Sequence, residues 1–282
     1  MSRSMTAHSR KMQLVTAGAM IGLLTAGAAW AAQTTAVNPP DFSSDGAAWI
    51  ATSQDYIAAQ TGPKPVTSDP AHPFVPNGRG AQPTYRIADV TNPNLKPWAV
   101  EQMKKTNETV LKGGIGYTAR SSCMAAGVPD FMLFIVEPVY FIQTSKEVLI
   151  IYTGNNETRH IHMNAEHDRN ARPTFYGDSI GHYEGDTLVV DTVKLNAKTY
   201  VDNYSTPHTE KLHVMERWKL IDGGKTLEVS FTADDPDTFN QPWSGIQRYR
   251  RVQPEPLQEE PCAENNTALF DYHIPQAEKP DF

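Results

Sequence analysis

Residues 174–192 read TFYGDSIGHYEGDTLVVDT, and the way this stretch folds decides the architecture of the chain. It sets three glycines, one histidine and four acidic residues beside a β-branched run. That composition fits a catalytic loop or a tight acidic hairpin. Gly185-Asp186 sits where a two-residue turn belongs, which pairs Tyr183 with Leu188 and Gly181 with Val190 on one apolar face. His182, Glu184, Thr187 and Asp191 then share the opposite face, with Ile180 and Val189 among them. A slip of one residue would reverse every side. The expected outcome is a hairpin whose acids are mostly solvated.

Outward from this hairpin the same pattern repeats. FMLFIVEPVYFIQTS, EVLIIYT, TRHIHM, SIGHYE, TLVVDTV, KLHVMERWKLI, TLEVSFT and GIQRYRRVQ follow one another after Cys123. Each is short and rich in β-branched or aromatic residues, and turn signals such as TSKE, GNNE, EGD and DGGK separate them. Strands joined by such short turns are antiparallel neighbours. The expected fold is therefore mainly β: an antiparallel up-and-down barrel over residues 123–282, whose cavity could hold one small ligand.

Residues 32–122 precede it as a Pro-rich strap with one or two helices. DGAAWIATSQDYIAAQ reads as one helical fragment, with Trp49, Ile50 and Ile57 on its apolar face. PWAVEQMKKTNETVLKGG reads as a better helix, with Pro97 in the first turn and Gly113-Gly114 as its stop. Between them, Pro63, Pro65, Pro70, Pro73, Pro76, Pro83 and Pro93 forbid long regular elements.

Residues 1–31 have the three-part plan of a signal peptide. Arg3, Arg10 and Lys11 lead, an apolar run follows, and Ala29-Trp30-Ala31 offers a cleavage site. The mature chain is expected to be periplasmic or secreted, with no stable membrane anchor. The 282 residues carry a net charge of −7 and no basic stripe, which argues against nucleic acid as a partner. The two cysteines, Cys123 and Cys262, suit one disulfide in an oxidising compartment, contributing about 4 kcal/mol in the chain-entropy model.

Chemistry concentrates at a few positions. In KLHVMERWKLI, Leu212, Val214, Trp218 and Leu220 share a face with Glu216 in its middle. A carboxylate on an apolar stripe is either paired, here with an arginine such as Arg248 or Arg250, or held toward its protonated form. His208 lies in the loop STPHTEK before that strand, where a barrel mouth would place an acid–base residue. Arg217 or Tyr249 would hold a polar substituent. Tyr140, Trp218, Trp243 and Tyr249 would line an apolar substrate pocket. His160 and His162 point the same way and could chelate a transition metal; no organic cofactor motif is present.

From about Pro97 to Leu269 the chain resembles an uncharacterised family of exported bacterial proteins. The resemblance rests on Pro97-Trp98-Ala99, CMAAGVP, YFIQT, RHIHMNAEH, GDSIGHYEGDTLVVDT, Pro207-His208-Thr209, Glu216-Arg217, Asp235-Pro236, Pro242-Trp243 and CAENN. It implies a lipocalin-like barrel, supports the Cys123–Cys262 bridge, and adds Asp178, Asp186 and Asp235 to the site residues. This chain departs from the family pattern at MNAEHDRN, which lacks the usual D-G-R and the proline after His167, and at Tyr183, where tryptophan is usual. The leading expectation is a cofactor-independent lyase or isomerase acting on a small, apolar, oxygenated molecule through His208 and Glu216. The alternatives are a non-catalytic carrier of a hydrophobic ligand and a metal-dependent hydrolase or lyase using His160 and His162.

Overall fold

The computed structural model describes residues 39–43, 46–74, 86–114, 116–135, 138–152 and 157–253. The signal peptide read at residues 1–31 lies outside these residues. So does Cys262, and with it the Cys123–Cys262 pairing.

The eight strands expected after Cys123 form. They are β3 (Val139–Gln143), β4 (Glu147–Tyr152), β5 (Glu157–Met163), β6 (Asp178–Glu184), β7 (Thr187–Val193), β8 (His213–Ile221), β9 (Thr226–Asp234) and β10 (Trp243–Val252). The β6–β7 hairpin adopts the expected register, Tyr183 opposite Leu188 and Gly181 opposite Val190, with Gly185 at φ 62° in the turn. Leu188 and Val190 are fully buried while His182 and Glu184 are exposed. A turn residue at positive φ is where glycine is favoured.

Two features depart from a simple meander. The wall is closed by a strand from the segment read as helical: β1 (Ala48–Ala51) pairs with both β10 and β3. Trp49 and its neighbours are buried on both faces, so their periodicity could not separate strand from helix. Closure decides the matter, because an unpaired edge on β3 and β10 would leave backbone groups unsatisfied. A two-residue strand, β2 (Ile57–Ala58), extends β10 beyond this joint. The second departure is that β5 and β6 run parallel, meeting only at His162–Ile180 and Met163–Gly181. The run from 164 to 177 is long enough for the crossover a parallel pair needs. The result is a closed, mixed, nine-stranded barrel rather than a wholly antiparallel one.

The barrel interior is filled. Trp218 on β8 packs against Phe141 on β3 at 5.7 Å and Tyr249 on β10 at 5.8 Å, spanning the lumen. Phe131, Met132 and Leu133 plug one end, and the Tyr249 hydroxyl donates to the Met132 carbonyl at 3.2 Å. The expected single-ligand cavity inside the barrel is thus occupied by the protein's own side chains. Outside it lies α1 (Pro97–Leu111), begun by proline and followed by Gly113 at φ 82°, with Ala99, Met103 and Val110 buried. The bridge Ser68–Ala88 joins two parts of the strap, and Leu95–Phe239 ties it to the segment before β10.

Candidate functional site

The residues expected to carry chemistry do not converge. Glu216 is fully buried, as its place in the apolar stripe implied, but its partner is Arg159 of β5 rather than Arg248 or Arg250. The arginine is bidentate: Nη1 donates to Oε1 at 2.9 Å and Nη2 to Oε2 at 2.5 Å. Nη2 also donates to the hydroxyls of Thr192 and Ser179, at 2.8 and 3.2 Å. The pair therefore fastens β5, β6, β7 and β8 together from inside. Arg248 instead pairs with Glu228 on the outer wall at 2.9 Å.

His208 is 3 % exposed and has both ring nitrogens engaged. Nδ1–H donates to the Thr209 carbonyl at 3.0 Å, which leaves Nε2 to accept from the Thr199 hydroxyl at 2.8 Å. Burial pushes the imidazole pKa down, against the Thr209 hydrogen bond and the Asp235 charge. Asp235, fully buried, accepts from the Thr209 amide and hydroxyl, the Asp237 amide and the Thr238 hydroxyl. These residues latch the loops at the foot of β8 and β10. None is left with a free group for a substrate.

Arg217 faces outward, as the alternation of β8 requires once Glu216 faces in, and donates to Glu184 at 2.8 Å. Trp218, Trp243 and Tyr249 are 0–2 % exposed and belong to the core, whereas Tyr140 lies half-buried on β3 with Phe141 facing in. His160 and His162 do share the outer face of β5. His160 donates to Glu147 at 2.6 Å. Among the described residues no three His, Cys, Asp or Glu side chains are grouped to hold a metal ion. Asp186 sits in the exposed β6–β7 turn, and Asp178 accepts from His167 Nδ1–H at 3.0 Å.

A different place has the features of a site. A cavity of about 200 Å³ lies between α1, the segment 118–134, the strap and the loop 200–205. Arg86, Arg120, Asp130, Tyr200 and Asp202 supply its polar wall, and Val110, Leu133 and Phe134 its apolar wall. Arg86 is saturated. Nη2 donates to Gln54 at 3.0 Å, and Nη1 donates to Asp55 and to the Tyr204 hydroxyl. Its guanidinium also lies over the Phe74 ring at 3.8 Å.

Arg120 is not saturated. Nη1 donates to the Tyr152 hydroxyl at 3.1 Å, while Nε and Nη2 are buried without a partner. Its guanidinium is held by the Phe134 ring at 3.6 Å and the Tyr152 ring at 4.5 Å.

The two cavity carboxyls are both held toward their protonated forms. Asp130 is pushed up to about 7, first by burial, with the Asp202 and Glu157 charges adding to it and Arg120 and Arg86 opposing. Its Oδ1 is buried and has no hydrogen-bond partner. Asp202 is pushed up to about 6 by burial, although its Oδ1 accepts from the Tyr204 and Thr206 amides at 2.9 and 3.2 Å. Burial takes the Tyr200 phenol up to about 12, so it is present as a neutral hydroxyl.

These residues come from four separate stretches of sequence, which is why no motif announced them. One signal was available. Asp130 interrupts the apolar run VPDFMLF much as Glu216 interrupts its strand. No family model and no curated protein matches the chain.

Proposed function

We propose that this protein is an acid–base enzyme, a lyase or isomerase, acting on a small oxygenated molecule in the cavity beside α1. Asp130 takes the proton-transferring part that the sequence assigned to His208. The observation that carries this reading is geometric: Asp130 and Arg120 line one cavity, the first with Oδ1 buried and unpartnered and the second with Nε and Nη2 buried and unpartnered. A carboxyl titrating near neutrality can hold a proton and release it during one cycle. In the forward sense its O–H protonates a substrate oxygen, and the carboxylate formed removes a proton from the neighbouring carbon. The sum is an enolisation, or a dehydration when the protonated oxygen departs as water. The Tyr200 hydroxyl and Arg120 orient the substrate. Arg159 and Glu216 hold the barrel instead of reacting.

Two further points belong to the same proposal. Export through residues 1–31 and a Cys123–Cys262 bridge would place the enzyme in the periplasm or outside the cell, and the resemblance to the exported family named above accords with both. The packed lumen argues against a lipocalin-type carrier, because Trp218, Phe141 and Tyr249 occupy the ligand's place.

The test is carbon-bound hydrogen exchange. Mature protein is incubated in heavy water with a panel of small carbonyl and hydroxy compounds, and exchange or water loss is followed by NMR. Asp130→Asn should lower the rate by about 100- to 10,000-fold, the usual contribution of one general acid–base group. Turnover at the wild-type rate in that variant sinks the assignment.

A further inference from the structure

We propose that the ligand of this cavity is a small monocarboxylate with an apolar body, gripped by the side-on edge of Arg120. The inference rests on the cavity being the functional site, but not on any reaction taking place there. Three buried or half-buried arginines can be compared. Arg159 meets Glu216 with two parallel bonds and two hydroxyls besides. Arg86 is shared among Asp55, Gln54 and Tyr204. Arg120 alone of the three keeps Nε and Nη2 both unanswered. Those two nitrogens form one edge of the guanidinium plane, and their N–H bonds run roughly parallel. A carboxylate places two coplanar oxygens at the matching separation.

Buried donors without acceptors are rare in folded proteins and call for a missing partner. The Phe134 ring under the Arg120 guanidinium at 3.6 Å, with Nη1 tied to the Tyr152 hydroxyl, fixes the plane before the partner arrives.

Charge selects within the class of anions. Asp130 and Asp202 border the same space, so a doubly charged phosphate would meet two acids for one uncommitted arginine. A monoanion meets one free cation and a protonated Asp130. The remaining wall, Val110, Leu133 and Phe134, is apolar and suits a hydrocarbon body. A cavity of about 200 Å³ suits a body the size of a short chain or one ring.

Asp130 is faced by Arg120, Arg86, Asp202 and Glu157. Deprotonating it adds a negative charge beside the guest, so affinity should fall as pH rises from 6 to 8.

The experiment titrates the full mature protein with acetate, butyrate and benzoate, and separately with benzamide and inorganic phosphate, by calorimetry or ligand-observed NMR at pH 6. At least one carboxylate should bind, with benzamide and phosphate at least about tenfold weaker, because neither presents a planar monoanionic pair of oxygens. Arg120→Lys should lower that affinity at least about tenfold while leaving the thermal transition in place, since lysine keeps the charge and loses the fork. In Asp130→Asn the decline in affinity between pH 6 and 8 should be shallower than in wild type, with Asp202 supplying what remains; an unchanged decline overturns the part given to Asp130. Equal binding of benzamide or phosphate overturns the ligand class. Absence of carboxylate binding, or wild-type affinity in Arg120→Lys, overturns the site. Carboxylate binding without proton exchange on any compound sinks the catalytic reading and leaves this one standing.

Discussion

Arg159 in the barrel and Arg120 beside α1 are both arginines near a buried carboxyl, and they differ in what surrounds them. Around Arg159 all is complete: Glu216 accepts two bonds, Thr192 and Ser179 add two more, and the group is 1 % exposed. Around Arg120 two donors go begging, and the nearby acid has an unpartnered oxygen. Satisfied buried charge fixes a structure. Unsatisfied buried charge, held in the wall of a cavity, marks where something else is expected to bind. The conspicuous anomaly of the sequence, Glu216 in an apolar strand, turned out to be of the first kind.

The sharpest way to break this comparison is to unbalance the satisfied pair. Glu216→Ala leaves the Arg159 guanidinium buried and uncompensated, which should lower stability by about 3–5 kcal/mol. Removing both charges, as Arg159→Met with Glu216→Leu, should recover most of that loss, because two desolvated ions and their mutual attraction vanish together. Chemical denaturation of the wild type and both variants checks this. A cost below about 1 kcal/mol for Glu216→Ala would mean that the pair is not structural glue, and would return Glu216 to the list of reacting groups.

The second prediction concerns the unsatisfied acid, and its sign is opposite. The folded-state pKa of Asp130 is about 7, against an ordinary value of 3.8. The folded protein therefore holds this proton more tightly than the unfolded chain does. Stability from the protonated carboxyl is fully present below about pH 4 and is lost as pH rises through 7. Asp130→Asn removes a charge that the fold resists, so the variant should be more stable than wild type at pH 8, and the gap should close by pH 4. Water entering the cavity relieves part of the burial cost, which leaves a difference on the order of 1–3 kcal/mol at pH 8. Thermal unfolding of both proteins across that range would show it. A variant that is less stable at pH 8 would put Asp130 among the satisfied charges.

The same contrast explains what could be read in the sequence. Period-two alternation and turn chemistry are local, so β3 to β10 and the 183–188 register followed from the residues themselves. The helix α1 (Pro97–Leu111) followed in the same way from its end signals. Closure by β1 did not, since pairing Ala48 with Val252 joins the two ends of the described chain. The parallel β5–β6 joint depends likewise on the path of residues 164–177. Glu216 could be recognised as anomalous from its strand alone, yet naming Arg159 needs the arrangement of β5 and β8 inside a closed barrel. The cavity was hardest of all. Arg86 and Asp202 are loop residues, Arg120 and Asp130 each open a short 3-10 helix, no fixed spacing links the four, and only tertiary packing assembles them. His208 was drawn in by its place before β8, although Thr199 and Thr209 take up both its nitrogens.

The smallest effect is expected at Arg217, next to Glu216 in sequence and on the opposite side of the wall. Period two fixes this separation: with Glu216 and Trp218 turned into the lumen, residue 217 has to face water. Its bond to Glu184 joins two exposed side chains, about half open to solvent on each side. Salt and side-chain freedom erode such pairs. Arg217→Ala should leave the thermal transition within measurement error of wild type at physiological salt. Carboxylate binding should be equally unmoved, because the cavity lies at α1 and the 118–134 segment rather than on the outer face of β8. The pairing of Glu216-Arg217 in the sequence thus joins a residue that holds the barrel together to one that does not. A clear loss of ligand affinity in Arg217→Ala would place the binding site on the outer wall and reverse the comparison between the two arginines.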